Sequence, residues 1–428
     1  MIQVPNHLLF MVCYYWCFSS NKSLRRPFHD VPEEDDDLLF LLKAFQHKRG
    51  EVFVHSRYRK VFYRSLSSAA KRLRDKRIPR IALQDPSKSA WRTLYTSNND
   101  QALIVLTGLD HATFGWLHKK FEIIYKKYTP FGDEGKIRLI KGVGGRPRLM
   151  SAADALGLVL AWTRTRGSQM VLGLIFGMGG TSVSIYIRFA RRIVVLALKS
   201  DPDAAVSLPS LEKIREYQSA IAEKYPALSG VWCTMDGLKL RLQQSGDFVI
   251  QAKYYNGWTH DHYVSSVFVF CPDGTIAICS YNLPGILHDS TIAEWGGVYK
   301  KLKAVYEMSD GKCTVDSAFN CRKYGDFLIK SSQSNPYSNN LNDYLVNRDA
   351  TSMRQAAEWG MRMIQSSFPR MKDRFVYEEY GERRVMMKML LLLYNLRARR
   401  VGINQILNTY MPNLRTDANK EYVPPLLS

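Results

Sequence analysis

The chain has 428 residues, enough for two or three domains, and its 46% hydrophobic and 23% charged residues are those of an ordinary soluble globular protein. Its charge balance is unusual, because 60 Lys and Arg stand against 39 Asp and Glu, which gives a net charge of +21. Such an excess favours a polyanionic partner, with nucleic acid ahead of an anionic membrane surface, over a basic protein that binds neither.

The cysteines and histidines argue against a disulfide scaffold or a zinc site. The seven Cys include no Cys-x-x-Cys pair, and the nine His show no zinc-ligand spacing. Four of the cysteines lie in apolar, strand-like runs and are predicted to be buried free thiols, which fits a reducing compartment. They are Cys233, Cys271, Cys279 and Cys313.

Residues 1–100 are predicted to form a variable, basic N-terminal region. An apolar run at 8–18 is too short to span a membrane, which takes about 20 residues, and no Lys or Arg precedes it as in a secretion signal. A misassigned start or a small packing strand explains this run better. Acidic residues cluster at 28–38, and basic residues dominate 57–80. There, residues 71–77 fit a nuclear localisation signal, a phosphate-binding strip or a solvated helix face.

Residues 101–200 are predicted to form a helical DNA-binding domain. A Gly- and Lys/Arg-rich linker covers 136–148, and a Gly-rich break lies at 177–180. A short helix, a Gly-containing turn and a second helix are typical of a helix-turn-helix, although a plain helical bundle has the same pattern. Apolar spacing and caps predict helices over 110–128, 151–165 (capped by Ser151), 168–176, and from Thr181 or Ser182 to about 199.

The charge of this segment favours the helix-turn-helix interpretation. Residues 136–200 contain eleven Lys or Arg and one acid, Asp154. A basic strip of this kind is the electrostatic footprint of a nucleic-acid interface. The side chains expected to face DNA are Arg146, Arg148, Ser182, Ser184, Arg188, Arg191 and Arg192.

Residues 201–410 are predicted to form an α/β layered domain, followed by a tail at 411–428. Apolar runs rich in Val, Phe and Cys predict the strands, and a Pro-Asp-Gly turn at 272–274 joins two of them. The predicted strands are 231–235, 263–270, 275–280 and 312–315, with helices near 290 and over 350–364 and 384–400.

Four acidic residues lie at or within these predicted strands and helices, in an order that predicts a metal site. Asp236 and Asp316 each follow a predicted strand, Asp289 precedes a predicted helix, and Glu358 lies within one. Carboxylates at the ends of neighbouring strands, faced by one from a helix, can hold two divalent metals about 3.5–4 Å apart, an arrangement that cleaves phosphodiesters by in-line displacement. Mg²⁺ or Mn²⁺ suits such oxygen ligands. Asp289 equally suits the cap of its helix.

With these residues, roughly 100–410 of the chain resembles the PIF/Harbinger superfamily of DDE transposases and their domesticated nuclease relatives. Several short stretches carry the resemblance, and they occur in the family's order. They are 145–148, Asp236-Gly237, Pro284-Gly285 with 288–290, 315–319, 354–358 with Phe368 and Arg370, 394–397, and 401–405.

The resemblance implies an RNase H-like nuclease domain, a mixed central sheet flanked by helices, preceded by an all-α helix-turn-helix domain. It implies that Asp236, Asp316 and Glu358 are catalytic and hold two Mg²⁺ or Mn²⁺ ions, with Asp289 as a fourth candidate ligand. The expected activity is cutting and joining of DNA at transposon terminal inverted repeats and target sites, in the nucleus, with a Myb-like accessory protein as partner. No membrane partner is expected, and a homodimer is left open.

One spacing departs from the family pattern. Asp316 and Glu358 are 42 residues apart, longer than is common in the family, which predicts a loop insertion within 325–350. Glu378 and Glu379 are rivals for the role of Glu358. Arg354 and Lys372 suit either phosphate contacts or ion pairs with the acids, and His288 suits a structural or DNA-backbone contact better than a general base.

Two other functions compete with transposition. One is a domesticated, catalytically silent DNA-binding protein with the same fold, against which the intact acids argue. The other is an RNase H-like enzyme that acts on RNA or hybrids. A recognition helix disfavours the latter, because it fits the major groove of B-form DNA and not that of A-form RNA.

Overall fold

The computed structural model describes residues 78–130, 137–140, 148–319, 321–330, 341–375 and 380–412. The chain divides into two compact units, Met1–Leu83 and Gln84–Ser428. The described part of the first unit, 78–83, contains a 3-10 turn over Arg80–Ala82. The predicted acidic cluster, apolar run and nuclear localisation signal lie outside the described residues.

The second unit begins with a layer of helices and a short two-stranded ribbon. Its elements in chain order are α1 (Ala90–Thr96), α2 (Asp100–Thr107), α3 (His111–Lys127), β1 (Tyr128–Thr129), β2 (Arg138–Leu139), α4 (Ala152–Arg164), α5 (Gln169–Phe176) and α6 (Gly180–Leu198).

Local caps explain why most of these helices begin where the sequence predicts. The Ser151 hydroxyl accepts a hydrogen bond from the Asp154 N–H, and the Asp154 carboxylate accepts one from the Ser151 N–H, so a reciprocal capping box begins α4. Ser168 caps α5, and Gly177, at a φ of 67°, ends that helix in the left-handed conformation.

The start of α6 differs from its prediction. Neither Thr181 nor Ser182 is the cap, because the backbone is extended at Gly179 and turns helical at Gly180. The axes of α5 and α6 are bent by 96° across this break. Among the described helices, none alone is long and apolar enough to cross a membrane, and only this bent pair passes together by length and composition.

The rest of the unit alternates strands and helices. Its elements are α7 (Leu211–Lys224), β3 (Val231–Arg241), α8 (Phe248–Tyr254), β4 (Tyr255–Asn256), β5 (Asp261–Phe270), β6 (Ile276–Pro284), α9 (Asp289–Trp295), α10 (Val298–Ser309), β7 (Lys312–Val315), α11 (Cys321–Tyr324), β8 (Leu328–Lys330), α12 (Leu341–Ser367), α13 (Tyr380–Arg400) and α14 (Gln405–Tyr410).

The strands form one mixed sheet in the order β6-β5-β3-β7-β8, with β4 also paired to β5. Strands β3, β5 and β6 are antiparallel neighbours, whereas β7 runs parallel to β3 and β8 runs parallel to β7. Parallel neighbours require a crossover connection, and α9 and α10 supply it between β6 and β7. The predicted mixed sheet flanked by helices is thus confirmed.

The four cysteines predicted to be buried lie in strands of the sheet or directly after one. All four are free thiols, as predicted, and Cys233, Cys271 and Cys313 are buried as predicted, whereas Cys279 is half-buried. Burial raises the pKa of the Cys279 thiol to about 11, which keeps it protonated at neutral pH. The reducing compartment itself stays a prediction.

The strand β3 is longer than predicted, and this moves Asp236 from a strand end into a strand interior. The predicted strand ends at Met235, but β3 continues to Arg241. The reason is its partner, because β5 pairs with this whole length, from Phe268 opposite Asp236 to Tyr263 opposite Arg241.

The helical layer and the α/β layer share one hydrophobic core, so the boundary predicted at residue 200 is not a gap in the packing. Long arginines join the layers. Arg164 donates a hydrogen bond of 2.9 Å to the carbonyl of Ser367, and Arg397 donates one of 3.1 Å to the carbonyl of Gly108.

Candidate active site

Two parallel strands place Asp236 and Asp316 side by side. Met235 of β3 is in register with Val315 of β7, and each is followed directly by an aspartate. Because the two strands run in the same direction, both carboxylates leave the sheet at the same level. The Gly237 N–H donates a 2.7 Å hydrogen bond to Asp236, and the Ser317 N–H donates one of 2.5 Å to Asp316.

Asp289 joins this pair from the first turn of α9. A Cβ built on Gly237 would lie 2.5 Å from the Asp289 carboxyl carbon, so this carboxylate packs directly against the backbone next to Asp236. The Oδ1 atom of Asp289 is buried and has no hydrogen-bond partner in the structure. His288 is the N-cap residue of α9, so Asp289 does not cap the helix, which removes one of its two predicted roles.

The acids disturb one another electrostatically. Burial, together with repulsion from Asp316 and Asp289, raises the pKa of Asp236 to about 6, although the Gly237 N–H opposes the change. Burial also raises the pKa of Asp289, an effect that Lys239 and His288 partly offset. A cluster of carboxylates with raised pKa values is a functional-site signature, because a bound cation would relieve both burial and repulsion.

Glu358 is linked to the aspartates by Arg354, which lies one helical turn earlier on α12 and contacts both Asp316 and Glu358. The Arg354 guanidinium lies 2.8 Å from Asp316 Oδ1 and 3.8 Å from Glu358 Oε1. Arg362 lies 3.7 Å from the other oxygen of Glu358. The structure thus places Arg354 between two of the predicted catalytic acids, and of the two roles weighed for Arg354 it selects the ion pair.

The donor chemistry suits a hard divalent cation, but the described side chains do not converge on one as they stand. No group of three or more His, Cys, Asp or Glu within the described ranges has the geometry to hold a metal ion. The missing Cβ at Gly237 lets the Asp289 carboxylate lie beside Asp236, and the unsatisfied Asp289 oxygen is an available ligand for a cation. On the Glu358 side, the Arg354 guanidinium lies between Asp316 and Glu358, two of the acids that would hold the cations.

The other residues weighed for the site lie outside the described residues or on the surface. Glu378 and Glu379 lie outside the described residues, as do residues 331–340 of the predicted insertion. Strand β8 and the first turns of α12 occupy much of the rest of that insertion. Lys372 and His288 are exposed.

Three arginines predicted to contact DNA have structural partners instead. Arg148 donates to the carbonyls of Tyr125 and Tyr128 and stacks 4.3 Å from the centre of the Tyr125 ring, so it closes the C-terminal end of α3. Arg191 is buried over Trp162, at 5.2 Å, and pairs with Glu382 at 3.1 Å.

Arg192 pairs with the same Glu382 of α13. Burial and these partners argue against the predicted DNA contacts of Arg148, Arg191 and Arg192, because the charges already join elements of the fold.

The other predicted DNA contacts lie on the accessible side of α6. Arg188 is exposed, and Ser182 and Ser184 are half-buried near the start of the helix. Ser184 and Arg188 are four residues apart and so share one face. Arg146 lies outside the described residues.

Gly237 is named in the sequence analysis only as part of the Asp236-Gly237 match, without a role of its own. Its contribution is the absence of a side chain, and the only local sign of it is the Asp-Gly pair, which also occurs in turns. Its contact with Asp289 joins positions that are far apart in the chain and appears only in the folded structure.

Comparison with known proteins agrees with this geometry. Residues 235–395 match the family model described as DDE superfamily endonuclease. The matched segment begins one residue before Asp236 and includes Asp289, Asp316 and Glu358. The match supports a DDE nuclease assignment for this segment, and it does not extend to the helical layer at 101–200. No curated protein and no solved structure matches the chain significantly.

Proposed function

We propose, from the match of residues 235–395 to the DDE superfamily endonucleases, that this protein is a metal-dependent DNA endonuclease and transposase. Its reaction is the cutting and joining of DNA at transposon ends. We extend the proposal to the PIF/Harbinger type with an RNase H-like nuclease domain, to terminal inverted repeats as substrate, and to the nucleus as the site of action. A Myb-like accessory protein would help to select the DNA.

The observation that carries the proposal is the meeting of three aspartates from separate parts of the chain. The parallel register of β3 and β7 supports Asp236 and Asp316 as the central pair. The approach of Asp289 to Gly237 adds a third carboxylate with a buried, unpartnered oxygen. Several carboxylates so close together reduce the stability of the fold unless a cation neutralises their charge.

The acids would hold two Mg²⁺ or Mn²⁺ ions. Asp236, Asp316 and Glu358 would hold them, with Asp289 as a fourth candidate ligand. When bound, such a pair of metals supplies a nucleophile at neutral pH and stabilises the leaving oxygen of the phosphodiester. The protein would contribute fixed carboxylates on rigid strands, which hold the reacting groups in line.

The basic helical layer is proposed to bind the DNA that these acids cut. The 96° bend between α5 and α6 lies within the range of about 90–120° for helix-turn-helix pairs, which supports this role. On the accessible face of α6, Ser184 and Arg188 are the proposed contacts, with Ser182 at the N-terminal end. A hydroxyl or guanidinium there can meet phosphates or base edges in a major groove.

The test is cleavage of labelled DNA that carries the inverted repeats flanking the coding region, in Mg²⁺ or Mn²⁺. The wild type is expected to cut, and Asp316→Asn is expected to lose about 10³-fold or more in rate, since a metal contributes several kcal/mol to the transition state. Asp310→Asn is the matched control at the other end of β7. Its side chain is 70% exposed, and its φ of 53° suits Asn.

A different outcome would favour the domesticated, DNA-binding alternative. If the wild type binds the repeats but does not cut them, with or without a Myb-like protein, and Asp316→Asn behaves the same, the nuclease proposal is wrong. Equal cleavage by Asp316→Asn and Asp310→Asn would also contradict the assignment of the site.

A further inference from the structure

We propose that Arg354 is an internal counter-ion that lowers the affinity of the acidic site for metal until DNA binds, an inference that rests on the proposed function. Its guanidinium bridges Asp316, at 2.8 Å, and Glu358, at 3.8 Å. These acids are two of the three that match the catalytic acids of the family. Arg354 therefore occupies the region that a divalent cation needs.

The position of Arg354 follows from the helix that carries it. Arg354 and Glu358 are four residues apart on α12, so both side chains leave the same face of the helix. That face meets the end of β7, where Asp316 leaves the sheet. The ion pair with Asp316 spans 38 residues of sequence and so depends on the packing of α12 against the sheet.

Electrostatics makes the guanidinium and a metal ion competitors. Both are attracted to the same carboxylate oxygens, and each repels the other at such short range. A metal that binds Asp316 must therefore displace Arg354 or tolerate its charge. The Arg354 side chain is 31% exposed, so it can turn outward without leaving a buried charge unpaired.

A DNA backbone offers Arg354 a better partner than water does. A phosphate accepts two parallel hydrogen bonds from a guanidinium, in the same fork geometry as a carboxylate. DNA that binds over the acids would thus draw Arg354 away from Asp316 and open the site. Binding of DNA and of metal should then be positively coupled, and each should raise the affinity for the other by the same factor.

The test measures metal binding directly, by calorimetric titration of Mn²⁺ into the full-length protein without DNA. Arg354→Gln is expected to bind Mn²⁺ about tenfold more tightly than the wild type, within the usual range of site-to-site coupling. Arg354→Lys keeps the charge and should stay near the wild type. Arg362→Gln is the matched control on the same helix, because Arg362 lies near Glu358 at 3.7 Å but is 78% exposed.

A second titration includes a short duplex, with Ca²⁺ as the metal so that the DNA stays intact. The duplex should raise the Ca²⁺ affinity of the wild type and change that of Arg354→Gln much less. If Arg354→Gln binds Mn²⁺ no more tightly than the wild type, Arg354 does not compete with the metal and this inference is wrong. The nuclease proposal would still be supported if Asp316→Asn loses cleavage. If no protein binds metal, with or without DNA, both proposals are overturned.

Discussion

The Asp289 carboxylate packs against the backbone of Gly237, at a point where a side chain would collide with it. A Cβ on Gly237 would lie 2.5 Å from both the carboxyl carbon and Oδ2 of Asp289. Gly237 belongs to β3 and Asp289 to the start of α9, so this contact joins two elements at the site. The residue after Asp236 must therefore be small for Asp289 to lie beside it.

Substitution of this glycine should disturb both the fold and the site. We expect Gly237→Ala to lose about 1–3 kcal/mol of unfolding free energy and to weaken Mn²⁺ binding about tenfold, because Asp289 has to move. Urea unfolding and calorimetric titration measure the two effects. Gly257→Ala is the control, since an added Cβ there meets nothing within 4 Å. Equal behaviour of the two variants would refute this account of the contact.

The raised pKa of Asp236 predicts an unusual pH dependence of stability in the absence of metal. The pKa of this carboxyl rises from 3.8 to about 6 on folding, so the folded state holds its proton more tightly than the unfolded state. Its contribution to the unfolding free energy should therefore decrease as pH rises from about 4 to about 6, by about 2–3 kcal/mol in total.

Asp236→Asn should remove this dependence and should be the more stable protein at pH 7. The measurement is urea unfolding across this pH range in a chelator, for Asp236→Asn, Asp310→Asn and the wild type. A constant difference between wild type and Asp236→Asn at all pH values would contradict the raised pKa. Asp310→Asn should follow the wild type, because its side chain is 70% exposed.

Glu382 should matter for stability and not for DNA binding. Its carboxylate lies 3.1 Å from Arg191 and also pairs with Arg192, where it ties α13 to α6. Glu382→Gln removes the negative charge that two largely buried guanidinium groups share, so we expect a loss of about 3 kcal/mol. Thermal unfolding and DNA binding by fluorescence anisotropy separate the two roles.

The control for this variant is Glu307→Gln. Glu307 forms an exposed ion pair with Lys303 at 3.5 Å, and loss of such a pair should cost less than about 1 kcal/mol. If Glu382→Gln keeps its stability but changes DNA affinity, the account is wrong, and Arg191 and Arg192 are available to DNA, as the sequence predicted.

Arg188 should contribute to DNA binding. Its side chain is exposed on α6, so Arg188→Ala should weaken binding and reduce the salt dependence of the affinity by about one phosphate contact. Anisotropy titrations at several salt concentrations give this slope. Lys199→Ala, exposed at the far end of the same helix, is the control. If both variants show the same salt dependence, Arg188 does not contact the DNA.

The sequence by itself determined the elements whose causes are local. Ser151 and Ser168 begin their helices through side-chain caps, and the apolar run 312–315 forms β7 over the predicted residues. The order of the four acids and the segment of the family match were likewise readable without a structure. The caps and the strand depend on residues within a few positions of one another, and the acids and the match are read directly from the order of residues along the chain.

Only the tertiary structure decided what the charged residues do. Arg148 and Arg191 had the pattern of DNA contacts. In the structure, Arg148 closes the end of α3, and Arg191 pairs with Glu382, which is distant from it in sequence. Arg354 could face phosphate or acid until the packing of α12 placed it on Asp316. The length of β3 depended on β5 in the same way. A charge or a backbone group takes the partner that the fold brings to it, and no local pattern specifies that partner.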